Sequence, residues 1–271
     1  MMRRLYVDAH LHLQDSCFSD IAEDLISQAK TAGIGRLYCN AVTETDWAAV
    51  TGLCRTHPDI IPFIGIHPWF CTTAVPGWQT RLADLLAVMT DRSVGIGETG
   101  LDKIRGVDFE IQQRCFLDHL DLAADLDLPA SIHCVKAWGP LLETLKAFSA
   151  RRELPRLMIH SFNGSTETMK QLIDYGCFIS YSCTIADENR HTLRDTVKQT
   201  PITAMMLETD SPYQKCDDLK DISYLTAAHN EPVAVTALYR YTAKLLNMKC
   251  HDLSSQLWKN HAIFTNQAVD R

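Results

Sequence analysis

The 271-residue sequence has no excess of basic residues, no two cysteines at C-x-x-C spacing and no apolar stretch approaching the thickness of a bilayer. Each absence removes a class of function. A formal net charge of −7, from 26 Lys and Arg against 33 Asp and Glu, argues against a general basic surface that tracks nucleic-acid backbones. It leaves room for a local phosphate site, because bound cations can carry the positive charge there. The ten cysteines are scattered, and several, such as Cys39 and Cys177, sit in apolar runs where a free thiol behaves as a small hydrophobe. Arg3 and Arg4 lead straight into a strand-like run, so neither a signal peptide nor a membrane span is expected. A reduced, cytoplasmic protein without a membrane or protein partner fits these features. No linker, low-complexity tract or charge run divides the chain, and residues 1–271 read as one domain. No glycine-rich phosphate loop follows the first strand, which weighs against an open nucleotide-binding sheet.

What the sequence does have is a pair of histidines one residue apart, Asp8-Ala9-His10-Leu11-His12, at the end of an apolar run. Side chains alternate faces along a strand, so His10 and His12 point the same way. Two imidazoles on one face form half of a transition-metal site. In isolation, such a pair reads more readily as two solvent-facing histidines. The rest of the chain changes that balance.

Eight short apolar runs follow one another at 5–12, 36–42, 60–67, 93–98, 129–133, 156–160, 177–182 and 202–210. Helical periodicity fills most of the gaps, as in Leu82, Leu85, Leu86 and Met89 or Phe116, Leu120 and Ala123. Eight strands alternating with helices predict an α/β fold, a (β/α)8 TIM-type barrel of parallel strands. Two further helices, over 233–246 and 251–260, are expected to cover its outside. Such barrels place their active sites at the carboxyl ends of the strands. Those ends carry His10 and His12, His67, Glu98, His133, His160 and Asp210.

Taken singly, each residue has an ordinary explanation. His133 could be a hydrogen-bonded core histidine, Glu98 a surface carboxylate, and Asp210 a helix cap before Ser211-Pro212. Converging at one barrel mouth, four histidines and two carboxylates would repel or strand one another unless cations lay between them. Six ligands exceed the needs of one tetrahedral ion and suit two metals sharing a carboxylate. The expected division is His10, His12 and Asp210 on one ion and His133 and His160 on the other, with Glu98 bridging. Asp210 is also the expected general base, with Glu98 beside it in the catalytic centre. The chemistry is metal-assisted hydrolysis by two divalent ions, zinc, manganese or magnesium.

The motifs resemble, in order and along nearly the whole chain, those of the TatD family of metal-dependent deoxyribonucleases in the amidohydrolase-like superfamily. Asp8-Ala9-His10-Leu11-His12 resembles D-x-H-x-H, Gly65-Ile66-His67-Pro68 resembles G-x-H-P, and the run from Gly97 to Asp102 resembles G-E-I-G-L-D. Ile159-His160-Ser161-Phe162 is similar to H-[CS]-F, and the run from Glu208 to Pro212 to E-T-D-[SA]-P. Asn230-Glu231-Pro232 and the residues from Asn260 to Phe264 resemble C-terminal family elements. The resemblance implies phosphodiester hydrolysis with Mg²⁺, Mn²⁺ or Zn²⁺ on DNA, acting at single-stranded or frayed ends.

Three departures bear on substrate rather than metal. Where the family has Arg two residues past the fifth-strand histidine, this chain has Val135, with Lys136 next to it. Gln14 stands where an acidic residue is usual, and Thr99 where Ile is. Lys136 is the expected phosphate contact, offering a point charge where Arg would grip bidentately. His67 is the second expected substrate contact. Trp69, Trp138 and Tyr213 could stack on bases but read first as packing, and Arg105 reads first as part of a solvated loop. The competing reading is a metal-dependent hydrolase of a small ester, lactone, amide or aminoacyl substrate on the same scaffold. A non-catalytic metal-binding protein is a third, against which the full set of ligands and Asp102 argues.

Overall fold

Each apolar run becomes a strand, and the amphipathic segments between them return the chain to the start of the next. The structure is a computed structural model and describes residues 6–89, 93–215, 218–226 and 228–267; Leu5 and Cys216 lie outside the described residues. The strands are β1 (Tyr6–Leu11), β2 (Ile34–Asn40), β3 (Ile60–Ile64), β4 (Gly95–Asp102), β5 (Ala130–Val135), β6 (Leu157–Ile159), β7 (Phe178–Tyr181) and β8 (Met205–Leu207). They pair in parallel, in sequence order. The helices between them are α1 (Ala22–Thr31), α2 (Trp47–Thr56), α3 (Trp78–Ala87), α4 (Phe109–Asp125), α5 (Trp138–Ser149), α6 (Thr166–Asp174) and α7 (His191–Gln199). After β8 come α8 (Ala234–Leu245) and α9 (Cys250–Phe264).

The sheet closes where β1 meets the segment after β8. Leu11 and Ser211 form a parallel bridge, the amide of His12 donates to the Ser211 carbonyl at 2.7 Å, and that of Asp210 to the His10 carbonyl at 2.9 Å. Just below, the buried Asp8 carboxylate accepts the Thr209 amide at 2.8 Å and its hydroxyl at 2.6 Å. Asn230 adds a bond to the Thr209 carbonyl at 2.7 Å. The result is a (β/α)8 barrel, which matches the sequence expectation.

One apolar layer lies between the strands and the helices. A smaller one fills the barrel, with Val7, Tyr38, Phe63, Met158 and Met206 among its members. Here α9 departs from the expected purely external role. It packs outside on β1 and β8, yet its last residue, Phe264, joins the interior layer. The Phe264 ring lies 5.9 Å from Phe63 and 5.6 Å from Phe178, centroid to centroid. Several strand boundaries also differ: β8 is only Met205–Leu207 within the expected run 202–210, with Ile202–Ala204 forming a 3-10 turn before it. β4 continues four residues past Glu98, because Gly97 and Gly100 let it press against β5, whereas β3 stops at Ile64 and leaves His67 beyond the strand, capping the turn Pro68–Thr73. Among the described residues, no helix is long and apolar enough to cross a membrane, and none of the nine described cysteines forms a disulfide.

Candidate active site

Strand irregularities aim the polar side chains. Asp8 pairs with Leu37 and Leu11 with Cys39, so three steps along β1 match two along β2. This one-residue bulge shifts the alternation. Val7 faces the interior below it, and His10 and His12 face the interior above it. The same mismatch recurs in β4, where Ile96 pairs with Ala130 and Thr99 with Ile132. Gly97 sits there at φ +147°, and a Cβ on it would lie 2.9 Å from the Ser131 carbonyl oxygen. Only glycine fits that approach, and Glu98 is thereby turned into the barrel mouth.

The six expected ligands meet around the Glu98 carboxylate, all of them buried. Its Oε2 lies 3.3 Å from His10 Nε2 and 3.6 Å from His12 Nε2, and Asp210 Oδ1 is 3.4 Å from that same His12 nitrogen. Its Oε1 lies 2.8 Å from His133 Nδ1 and 2.9 Å from His160 Nε2. The His10 and His160 rings stack at 3.9 Å across the divide. Three overlapping groups could hold a metal ion: His10, His12 and Glu98; His10, His160 and Asp210; and His67, Glu98 and His133.

Hydrogen bonds behind the rings determine which nitrogen each imidazole presents. His12 Nδ1 donates to the Asn40 carbonyl at 2.8 Å, His133 Nε2 to Asp102 at 3.1 Å and His160 Nδ1 to Glu208 at 3.2 Å. In its neutral, metal-binding form each ring thus turns a bare nitrogen toward Glu98. This donor set, of imidazole nitrogens and carboxylate oxygens, fits divalent transition ions. Gln14 shares the Asn40 carbonyl at 2.7 Å, so it supports His12 from behind. His67 is wired the opposite way. Its Nδ1 accepts the Trp69 amide at 3.2 Å, which leaves the proton on Nε2, 3.4 Å from Glu98 Oε1.

Protons in the cluster follow the same arrangement. Burial opposes a charge on Glu98, but His160, His67 and His10 outweigh it and hold its carboxyl well below the usual range. Burial likewise opposes a charge on His160, and Glu98 with Glu208 raises its pKa well above the ordinary value despite that. His67 goes the other way, because burial dominates and keeps it neutral. Asp102 is held at about 2, since bonds from His133, Ile104 and Trp69 outweigh its burial.

A cavity of about 490 Å³ opens over the cluster, lined by His67, Glu98, His133, His160 and Asp210 together with Val42, Trp69, Phe70, Arg105, Val135, Asn163, Tyr213 and Gln214 among others. Lys136, the expected phosphate contact, does not line it. That residue is exposed at φ 54°, a left-handed turn that carries it off the end of β5. Among the described residues, the lysine or arginine that lines the cavity is Arg105, from the loop read in the sequence as solvated. Trp138 packs on Phe162 at 4.9 Å, as the packing reading has it, whereas Trp69 and Tyr213 stand in the cavity wall.

One polar group at the site had no sequence signal. Gln214 donates to Asp210 Oδ2 at 2.5 Å, while its carbonyl oxygen accepts Ser161 and Ser182 hydroxyls at 2.9 and 2.5 Å. A glutamine four residues past a ligand has no periodicity that marks it. Its φ of 52° folds it back onto Asp210.

Comparison with known proteins agrees with this fold. The model of the family described as TatD related DNase matches residues 7–265. The uncharacterized metal-dependent hydrolase YjjV of Escherichia coli is 29% identical over 210 residues, covering 76% of this chain and 79% of that one. The 3'-5' ssDNA/RNA exonuclease TatD of Pantoea ananatis is 27% identical over 258 residues, covering 93% and 96%. The crystal structure of the Escherichia coli TatD homologue YjjV superposes with a TM-score of 0.85 at 23% identity, covering 98% of this chain and 99% of that one, a likeness of fold. The chain belongs to the TatD-related DNase family of metal-dependent hydrolases.

Proposed function

We propose that this protein hydrolyses phosphodiester bonds in DNA, at single-stranded or frayed ends, with two divalent ions, zinc, manganese or magnesium. The observation that carries the reading is the division of one carboxylate. Glu98 Oε2 faces His10 and His12, the second of which also meets Asp210, and Oε1 faces His67, His133 and His160. One side chain therefore serves two groups of ligands, as a bridging carboxylate does. The name of the Pantoea relative supports a nucleic-acid strand as the substrate.

Bound divalent ions would supply Lewis acidity toward a phosphoryl oxygen and make water acidic enough to attack near neutral pH. The remaining steps belong to the chain's own residues. Asp210, held through Oδ2 by Gln214, keeps Oδ1 toward the cluster and takes the proton from the attacking water. His67 presents Nε2–H to a phosphoryl oxygen as a donor and so acts on substrate, not metal. Asp102 and Glu208 orient His133 and His160. Residues 1–271 act together as one hydrolase domain, and the lack of disulfides among the described cysteines supports a cytoplasmic setting.

Metal analysis of the purified protein, paired with assays on 5'- and 3'-labelled single strands, tests this reading. Two ions per chain and processing from an end are expected. Robust turnover of a neutral ester without DNA cleavage under any divalent metal would replace it with the small-ester reading.

A further inference from the structure

Arg105 is placed and bonded unlike the other cations of its neighbourhood. Its guanidinium lies 4.0 Å from the centre of the Trp69 ring. Lys103, two residues earlier, instead rests over Phe109 at 4.9 Å and does not line the cavity. Among the described residues, no other lysine or arginine lines the cavity. Among the described residues, the Arg105 guanidinium stacks on Trp69 and makes no ion pair or hydrogen bond. Stacking on an indole face leaves the edge of the guanidinium, with its donor fork, open.

The platform under Arg105 is itself anchored. Trp69 Nε1 donates to Asp102 Oδ2 at 2.7 Å, and the same oxygen accepts from His133 Nε2 at 3.1 Å. The Trp69 ring sits 4.6 Å from that of His67 and 6.2 Å from that of His133. A stacked guanidinium is thus held beside the cluster by a chain of bonds that ends on a candidate ligand.

We propose that Arg105, seated on Trp69, is an anion subsite that grips a substrate phosphate next to the one being cleaved. The chemistry it fits is a planar pair of anionic oxygens, which a guanidinium binds bidentately and an ammonium does not. The inference rests on the nuclease reading and extends it. It assigns to Arg105 the preference for a strand with more than one phosphate.

The test compares a dinucleoside monophosphate, which has only the scissile phosphate, with a trinucleotide that has two. Arg105→Ala should raise KM for the trinucleotide about tenfold and flatten its salt dependence, the slope of log K against log salt falling by roughly 0.7. The penalty on the dinucleoside should be clearly smaller. Arg105→Lys should keep most of the salt slope yet lose affinity, and Lys103→Ala should match the parent. Fluorescence anisotropy of a labelled single strand on the metal-loaded Asp210→Asn protein gives a binding readout without turnover, and Arg105→Ala in that background should weaken it comparably.

An equal penalty on both substrates, an unaltered salt slope, or a larger effect from Lys136→Ala than from Arg105→Ala would overturn the subsite while leaving the nuclease reading intact. A parent protein that binds the strand through Arg105 but cleaves no DNA would overturn the nuclease reading alone. Failure to bind any single strand would remove both.

Discussion

Asp210 and Gln214 show how much one side chain does through another. Asp210→Asn keeps the shape of the side chain and its seat at the barrel seam, but a neutral amide cannot take a proton. Loss of a general base is typically worth about 10²–10⁴-fold in rate. We expect a fall of that size in kcat at saturating metal, with an unchanged far-UV circular dichroism spectrum. A variant near the parent rate would move the base to another group. Gln214→Met removes the donor to Asp210 Oδ2 and leaves the Ser161 and Ser182 hydroxyls without their shared acceptor. Partners of this kind typically contribute about 10–100-fold to metal affinity or activity. A loss in that range, measured by metal titration and by steady-state rates, is expected for Gln214→Met; parent-like values for both would show that Asp210 holds its orientation unaided. The residue types of the cluster were legible because histidines and carboxylates at strand ends are conspicuous. Gln214 was not, since its role depends on a left-handed turn that no local pattern announces.

Strands β4 and β5 form the element pair on which the cluster leans most. Gly100 has a φ of +142°, and a Cβ there would collide with the carbonyl oxygen of His133. Gly100→Ala therefore combines backbone strain with displacement of a candidate ligand. A loss of more than about 1 kcal/mol is expected in urea unfolding, together with weaker metal binding. A stable variant with full metal affinity would show that β4 can shift without moving His133. The C-terminal helix offers a test far from the chemistry. Phe264 is fully buried among the Tyr38, Phe63 and Phe178 rings at the closed end of the barrel. Phe264→Ala should cost about 3–5 kcal/mol by removing apolar contact and leaving a cavity. A loss below about 1 kcal/mol would mean that α9 merely covers the outside of the barrel.

For the whole molecule, two histidines outside the cluster impose a pH dependence on the metal-free protein. His119 accepts the Ile66 amide at 3.1 Å and donates to the Cys115 carbonyl at 2.7 Å, which requires a neutral ring. Burial lowers its pKa to about 4, and burial lowers that of His261 to about 3. An unfolded histidine takes up its proton near pH 6.5. Below that value the unfolded chain binds more protons than the folded one, so stability falls as pH falls. The loss should run from about pH 6.5 down toward pH 4 for His119 and pH 3 for His261. Urea midpoints of the metal-free protein between pH 7.5 and 4.5 measure it, and His119→Gln should flatten the curve. A His119→Gln curve running parallel to the parent's between pH 6.5 and 4.5 would contradict a neutral buried His119 ring.

The order of strands and helices, the barrel they close into, and the polar residues at its mouth follow from the sequence alone, because period and spacing are local properties of a chain. The inward aim of His10, His12 and Glu98 comes from one-residue bulges in β1 and β4, which exist only once neighbouring strands set the register. Which nitrogen each histidine presents depends on a partner up to tens of residues away, such as Glu208 behind His160. Arg105 rather than Lys136 reaches the cavity because a left-handed residue ends β5 while Trp69 gives the Arg105 guanidinium a surface to lie on. Composition named the candidate groups, and contacts between distant segments decided their direction, since a side chain's aim is a property of what packs against it.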